Sequence, residues 1–234
     1  MTPTTVAPAF LTVALPKGQL FAPCASLFQQ LGAARVRDLA ESRRLLVEEP
    51  ALGLRFIAVK AVDVPVYVER GAADLGIAGS DVIEETQRDL YLPLYLGFGR
   101  CRLVVAAPRD KRLTDLRLRP TLRVATKYPH LARQHFLARG LSIEIVELSG
   151  SVELGPRAGL ADLIVDIVDT GRTLKENGLS EMETIMESQA CLIVNRASHK
   201  VHQREIGALI TRLERSAQAA PETSQPQPPE TRNR

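Results

Sequence analysis

Acidic and hydroxyl-bearing residues gather in one short stretch of the chain, directly after a mainly apolar run. The run, residues 161–168, is rich in β-branched residues and is typical of a strand buried on both faces. It is followed by Asp169-Thr170-Gly171-Arg172-Thr173, and residues 174–177 have the pattern of a first helical turn. Backbone N–H groups at such a turn, the helix dipole and two hydroxyl groups can together hold a phosphate.

The acidic residues beside this turn suit a sugar or a hydrated metal ion. Gly171 lets the backbone approach a ligand closely, because it has no side chain. Asp166 and Asp169 could bind sugar hydroxyl groups or a hydrated Mg²⁺. The alternative is an ordinary strand-to-helix turn in which Asp169 or Thr170 caps the helix. Because two acidic residues and two hydroxyl groups cluster after a strand, we favour a phosphate site suited to a phosphorylated sugar.

The composition excludes several classes of protein. The 234 residues, 45% of them hydrophobic, suffice for one large or two small domains. A net charge of +3 without a basic stripe argues against a nucleic-acid partner. The 3 cysteines are far apart and the 4 histidines lack metal-ligand spacing, so we expect reduced thiols and no metal bound by the protein alone. No apolar run reaches membrane-spanning length and residues 1–9 lack a basic start, so we expect a cytoplasmic protein.

Two further strand-to-helix turns lie earlier in the chain. Residues 11–15 have a strand pattern that ends at Pro16, Lys17 and Gly18, and residues 73–79 have another that ends before Ser80 and Asp81. Strands that alternate with helices predict a largely parallel α/β sheet, with ligands at the carboxyl ends of the strands. Three such turns could meet at one cleft, although the turn at Lys17, taken alone, is better explained as a plain connection with a solvated lysine.

Arg43 and Arg44 precede a short predicted strand at residues 45–47. Adjacent residues on a strand point to opposite faces, so only one of the two arginines can face a given pocket. Spacing alone favours two solvated charges at a sheet edge.

The strand–helix alternation stops and restarts, which indicates two lobes. Residues 92–98 and 101–107 are extended apolar runs joined at Gly99, and they have the pattern of a crossover. The alternation restarts at residue 122 and reaches the 161–168 run, after which we expect a return strand at 190–195 and one helix over 197–215. We predict that the second lobe is inserted in the first and that a ligand binds in the cleft between them.

The predicted domain boundaries follow from this pattern. Lobe I would comprise residues 1–100 and 186–215, lobe II residues 101–185, and a disordered tail residues 216–234, which are rich in Pro, Gln, Thr and Glu.

A set of segments distributed over about residues 11–201 points to one family. These segments are residues 15–18, 63–65, 73–77, 96–104, 124–129, 150–154, 159–168, 170–174 and 192–196. Together they resemble the ATP phosphoribosyltransferase family, the enzymes of the first committed step of histidine biosynthesis. The resemblance implies a two-lobed α/β fold with a central cleft, like the periplasmic solute-binding proteins of type II.

The resemblance also implies a reaction and a partner. ATP and phosphoribosyl pyrophosphate would give N1-(5-phosphoribosyl)-ATP and pyrophosphate, with Mg²⁺ bridging the diphosphate oxygens. The chain resembles the short form of the family, which works with a separate regulatory subunit, a non-charging relative of histidyl-tRNA synthetase. We would then expect a homodimer within a hetero-oligomer, a hetero-octamer in the first instance, with feedback by histidine on the partner.

Roles for individual residues follow from the same resemblance. The phosphoribosyl pyrophosphate site would comprise Asp166, Asp169, Thr170, Gly171, Arg172, Thr173 and Leu174. The ATP site would comprise Leu15, Lys17, Gly18, Gly79, Asp81, Tyr128 and Glu153. The catalytic residues, which neutralise charge on pyrophosphate and on the ATP phosphates, would be Lys17, Arg43 and Arg44. The residues alone leave plainer roles open, with Tyr128 at a strand end and Glu153 on a helix surface.

Two positions depart from the family pattern. Gln19 stands where the family commonly has Arg, and Ser80 where it commonly has Lys. Each exchange removes a positive charge from a polyphosphate site, and one charge-assisted contact is worth about 1.5–3 kcal/mol. We therefore expect no phosphate contact from these two side chains.

Three other functions compete with this interpretation. A type I phosphoribosyltransferase for a free base has a similar acidic loop but a single core with a hood, which the restart at residue 122 disfavours. A non-catalytic solute-binding protein would need a signal peptide and no Thr-Gly-Arg-Thr turn. A subunit that is inactive alone would be recognised by assay with and without its partner.

Overall fold

Apolar strands alternate with short helices along the chain, and the strands collect into two sheets. The structure is a computed structural model that describes residues 10–41, 44–111 and 121–219. Elements are numbered in chain order. The first sheet, with the helices packed on it, forms lobe I, and the second sheet forms lobe II; the chain crosses from one to the other twice.

Lobe I is built on a six-stranded sheet in the order β2-β3-β1-β4-β11-β5. Its strands are β1 (Leu11–Pro16), β2 (Leu46–Glu49), β3 (Leu54–Val59), β4 (Leu75–Gly79), β5 (Tyr91–Tyr95) and β11 (Ala190–Val194). Its helices are α1 (Phe21–Gln30), α2 (Asp38–Glu41), α3 (Val64–Glu69), α4 (Ser80–Thr86), α7 (Arg196–Val201) and α8 (Gln203–Ala219), with short 3₁₀ turns at Ala34–Arg37, Pro50–Leu52 and Ala61–Asp63.

Lobe II is built on a five-stranded sheet in the order β10-β6-β9-β7-β8. Its strands are β6 (Cys101–Pro108), β7 (Leu122–Thr126), β8 (Ile143–Glu147), β9 (Leu163–Val168) and β10 (Leu179–Ser188). Its described helices are α5 (Pro129–Leu137) and α6 (Arg172–Glu176), with a 3₁₀ turn at Val152–Leu154.

Each sheet is buried on both faces. In lobe I, Val13 and Leu15 of β1 pack into one hydrophobic cluster, whereas Ala14 packs into another on the opposite face. In lobe II, Val165 and Ile164 of β9 divide in the same way. Because successive side chains on a strand point to opposite faces, a run without polar interruption buries both sides of the sheet.

The prediction of a largely parallel sheet is wrong, because both sheets are mixed. Strand β1 pairs in parallel with β3 and β4, but β2, β5 and β11 join that sheet through antiparallel pairs. In lobe II, β7 is parallel to β8 and β9, whereas β6 is antiparallel to β9 and β10. The antiparallel members include the strands on either side of the crossovers.

Strand β10 was not predicted, and the predicted lobe boundary falls inside it. This ten-residue strand pairs with β6 from Leu179 opposite Pro108 to Ser188 opposite Cys101. The predicted boundary at residue 186 therefore falls within lobe II, and the chain returns to lobe I only after Ser188.

The C-terminal region also differs from the prediction. Two helices, α7 and α8, separated at His202, replace the single helix expected over 197–215. Because α8 continues to Ala219, the first four residues of the predicted tail are helical, and residues 220–234 lie outside the described residues. Among the described residues, none of the helices has the length and apolar character needed to cross a membrane.

The two crossing segments are hydrogen-bonded to each other. The backbone N–H of Ala190 donates to the carbonyl of Phe98 at 3.0 Å, and the N–H of Leu96 donates to the carbonyl of Ala190 at 2.9 Å. The lobes are thus joined by a two-stranded connection, and the ends of the neighbouring strands lie beside it.

Candidate active site

The strand register brings the carboxyl ends of strands from both lobes to the crossover. In lobe I, Ala190 at the crossover lies opposite Gly79, the last residue of β4. In lobe II, Cys101 at the crossover lies opposite Ser188, and the next residue, Arg102, lies opposite Val168, the last residue of β9. The turns that follow β4 and β9 therefore meet at the junction of the lobes, as ligand sites of open α/β sheets do.

The turn after β9 is open to solvent. Asp169 and Thr170 are exposed, and Gly171 adopts a left-handed conformation with φ of +74° at the start of α6. Arg172 and Thr173 are also exposed, whereas Leu174 is buried in the lobe II core. The side chain of Leu174 therefore anchors the turn, and only the backbone of Leu174 could face a ligand.

Asp166 forms an ion pair with a lysine from the neighbouring strand end. Lys127 Nζ lies 3.2 Å from Asp166 Oδ1, which also accepts a hydrogen bond from the Ile167 N–H at 2.8 Å. Burial raises the pKa of Asp166 above its usual value, while Lys127 and the Ile167 N–H oppose that rise. The pair places one carboxylate and one ammonium group beside the open turn.

Tyr128 and Asp81 join the two lobes directly. The Tyr128 hydroxyl donates to Asp81 Oδ2 at 2.6 Å, and the Ser188 hydroxyl donates to Asp81 Oδ1 at 2.7 Å. Asp81 is only 5% exposed, and each of its carboxylate oxygens accepts a hydrogen bond from a hydroxyl group. Burial, and then the Asp81 carboxylate, raise the pKa of Tyr128, which keeps its hydroxyl protonated and donating.

The thiol of Cys101 is influenced both by Asp81 and by Asp169 of the turn after β9. Burial raises the pKa of Cys101 to about 11, and the Asp81 carboxylate and, more weakly, the Asp169 carboxylate add to the rise. Charges from both lobes thus act on one side chain at the crossover.

The lobe I candidates divide into exposed and buried residues. Lys17 and Gly18 are exposed at the end of β1, and the Lys17 N–H donates to the carbonyl of Val59 at 2.7 Å. Leu15 is fully buried, so its side chain belongs to the core. Arg44 is exposed just before β2, whereas Arg43 lies outside the described residues.

Gly79 and Glu153 occupy different parts of the junction. A Cβ on Gly79 would collide with Asp81 Oδ1, so the turn into α4 needs glycine there. Glu153 is half-buried in the 3₁₀ turn after β8, and its charge contributes to the raised pKa of Asp166. The roles assigned to these two residues and to Leu15, Lys17, Asp81 and Tyr128 at an ATP site stay predictions.

The two departures from the family pattern have different surroundings. Gln19 is exposed beside Gly18. The Ser80 hydroxyl lies 3.1 Å from the Ser188 hydroxyl and is within 3.3 Å of the Gln189 N–H. Ser80 therefore binds the crossover segment in this chain.

Sequence reasoning missed three residues of the junction. Lys127 lies in the family-like segment 124–129 directly after an apolar run, and that position was a usable signal. Ser188 and Glu85 act through contacts to residues 107 and 45 positions away, which nothing local in the sequence indicates.

One cavity lies beside the turn after β9, and a second lies elsewhere, in lobe I. The first, of about 300 Å³, opens beside the turn and includes Gly171, Leu174 and Glu181 in its lining. The other, of about 330 Å³, lies in lobe I between α8 and the start of β1, away from the junction.

Acidic oxygens suitable for a magnesium ion occur at the turn. Among the described residues, no group of three or more His, Cys, Asp or Glu side chains is arranged as a complete metal site. Asp166 and Asp169 supply carboxylates, the ligands that Mg²⁺ takes together with water and substrate phosphates.

The fold and the site define a two-lobed α/β protein with an open strand-to-helix turn at the lobe junction. A family model described as HisG, ATP phosphoribosyltransferase, matches residues 60–215. An ATP phosphoribosyltransferase of Citrifermentans bemidjiense is 45% identical over 208 residues, which cover 88% of this chain and 98% of that protein. The chain belongs to the ATP phosphoribosyltransferase family, the enzymes of the first step of histidine biosynthesis.

Solved structures agree with this assignment. The ATP phosphoribosyl transferase (HisG:HisZ) complex from Thermotoga maritima is similar with a TM-score of 0.79 and 31% identity, covering 90% of this chain and 100% of that one. The alkanesulfonate-binding protein SsuA from Xanthomonas axonopodis matches with a TM-score of 0.56 at 15% identity, over 89% of this chain and 73% of that one. That likeness concerns the fold alone, and it confirms the predicted two-lobed, periplasmic-binding-protein-like fold.

Proposed function

We propose that the junction of the two lobes is where this chain transfers the 5-phosphoribosyl group from phosphoribosyl pyrophosphate to N1 of ATP. The observation that carries this proposal is the open turn at Asp169–Thr173, which follows a buried strand and lies beside the crossover. The sugar phosphate would bind there, and the nucleotide would approach from lobe I.

The reaction exchanges one bond at the anomeric carbon for another. The N1 lone pair of adenine forms a bond to C1 of the ribose, the C1–O bond to pyrophosphate breaks, and pyrophosphate leaves with the bonding electrons. The transition state is oxocarbenium-like, so alignment and neutralisation of the leaving group matter more than a strong base.

The residues of lobe II would hold the sugar. Backbone N–H groups and hydroxyl groups of Asp169–Thr173 would bind the 5-phosphate. Asp166 and Asp169 would accept hydrogen bonds from the ribose hydroxyl groups. Lys127, already paired with Asp166, opposes the rise in the pKa of Asp166 that burial causes.

The residues of lobe I would meet the phosphates. Lys17 and Arg43 or Arg44 would neutralise charge on pyrophosphate and on ATP. Asp166 or Asp169, together with substrate phosphate oxygens, would hold magnesium, which would supply neutralisation of the diphosphate charge. Gly18, Gly79 and Glu153 would border the nucleotide.

The family and a solved complex support a proposal for the assembly and the location. We propose that the chain forms a homodimer within a hetero-oligomer with a histidyl-tRNA-synthetase-like regulatory subunit, in a hetero-octamer. The similarity to a chain of the Thermotoga maritima HisG:HisZ complex supports this proposal. Cytoplasmic location, two domains that correspond to the lobes, and histidine feedback through the partner belong to the same proposal.

The test of the sugar site is the affinity for phosphoribosyl pyrophosphate in the Asp169→Ala variant. Calorimetric titration should show loss of binding, whereas Glu176→Ala, which changes an exposed residue at the end of α6, should bind like the unaltered protein. Equal affinity in the two variants would exclude Asp169 from the site.

A further inference from the structure

Helix α4 of lobe I contacts lobe II through two carboxylates on one face. Asp81 and Glu85 are four residues apart, so their side chains lie one above the other. Asp81 accepts the hydrogen bond from Tyr128. Glu85 contacts helix α5, which begins directly after Tyr128.

Glu85 caps the start of α5 from the opposite lobe. Its Oε1 accepts the His130 N–H at 2.9 Å and its Oε2 accepts the Leu131 N–H at 3.0 Å. The preceding helical residue, Pro129, has no N–H, and Tyr128 gives α5 no side-chain cap. The carboxylate therefore satisfies the first two free donors of α5 and lies at the positive end of its dipole.

The residues just before α5 include one that contacts the proposed sugar site. Tyr128 and Lys127 connect β7 to α5, and Lys127 holds Asp166 beside the open turn. A displacement of the first turn of α5 would move both residues, and it would also change the angle between the lobes. Glu85 and Asp81 fix this one connection at two points.

We propose that Glu85 is a positioning residue, which locks the two lobes at the angle that aligns the nucleotide with the sugar. The proposal rests on the proposed function above, since it concerns alignment for that reaction. Glu85 binds the start of α5, so its effect on the reaction would pass through that helix.

The test compares Glu85→Ala with Glu84→Ala, its exposed neighbour on α4. We expect kcat of Glu85→Ala to fall roughly tenfold, because misalignment acts on the transition state, with the affinity for phosphoribosyl pyrophosphate within about twofold. Glu85→Gln keeps one acceptor oxygen and should recover part of kcat. Amide hydrogen exchange at residues 130 and 131 should become faster in Glu85→Ala and stay unchanged in Glu84→Ala.

The outcomes separate the two proposals. A kcat per folded molecule of Glu85→Ala within twofold of the unaltered protein overturns the positioning role, as does unprotected exchange at residues 130 and 131 in the unaltered protein. Thermal unfolding gives the folded fraction, and Glu85→Gln replaces Glu85→Ala in every measurement if the latter does not fold. If the unaltered protein releases no pyrophosphate, the proposed function fails, and hydrogen exchange alone decides whether Glu85 holds the junction.

Discussion

Replacement of Tyr128 by phenylalanine tests the hydrogen bond that joins the lobes. The change removes the hydroxyl that donates to Asp81 Oδ2 at 2.6 Å and leaves the ring in place. Asp81 is 5% exposed, so water cannot readily replace the lost donor. A hydrogen bond to a charged group contributes about 1.5–3 kcal/mol, and a buried acceptor left without a partner is costly.

We expect Tyr128→Phe to lower the free energy of unfolding by about 2 kcal/mol. For a protein of this size that corresponds to a decrease in Tm of about 4–8 °C. Urea denaturation at 25 °C and calorimetry measure the two quantities. Tyr95→Phe is the matched control, because Tyr95 is 56% exposed and should change stability by less than about 0.5 kcal/mol.

A double-mutant cycle with Asp81→Asn assigns the effect to the pair. The coupling free energy should be about 1 kcal/mol or more, as for residues in one hydrogen-bond network. A loss in Tyr128→Phe no larger than that in Tyr95→Phe, or a cycle without coupling, would refute the reasoning.

Three further predictions concern charge. Lys127→Met should shift the acid limb of phosphoribosyl pyrophosphate binding to higher pH, because burial raises the pKa of Asp166 and Lys127 opposes that rise. Calorimetric titration at several pH values measures the position of the limb, and a limb that does not move would contradict the prediction. Burial and then Arg139 lower the pKa of His135. The contribution of neutral His135 to stability is therefore complete above the unfolded pKa of about 6.5, and it is lost as pH falls below that value toward the lower pKa of the folded state. Tm should drop between pH 7.5 and pH 5.5, and it should drop less in His135→Gln. Arg43→Ala should lower kcat more than substrate affinity if Arg43 neutralises the leaving group, and an effect confined to KM would make it a binding residue.

Strands with a clear apolar pattern were predictable from the sequence. The restart of the strand–helix alternation at residue 122 is confirmed, since β7 begins at Leu122 and α5 and β8 follow it. Their apolar residues are bounded by turn residues, so local pattern and tertiary packing agree.

Strand β10 was not predictable, because its sequence favours no strand. Residues 179–188 include three Glu and two Met residues, which also suit a helix. Its pairing with β6 is interrupted by two register shifts, which break the alternation that identifies a strand. Pairing with the distant strand β6 decides the conformation of β10. The same pairing places residues 186–188 in lobe II, beyond the predicted boundary.

The candidate site divides in the same way. The turn at Asp169–Thr173 could be recognised because its residues are adjacent in the sequence. The contacts of Asp81 with Tyr128 and Ser188 join residues 47 and 107 positions apart, and these arise only when the lobes meet.

The central claim is tested most directly by turnover of ATP with phosphoribosyl pyrophosphate, followed by product absorbance, with and without the regulatory subunit. We predict N1-(5-phosphoribosyl)-ATP and pyrophosphate in equal amounts when both substrates are present, and no product from Asp169→Ala. Absence of product from the unaltered chain even with its partner, or undiminished turnover in Asp169→Ala, would contradict a sugar-phosphate site at the turn after β9.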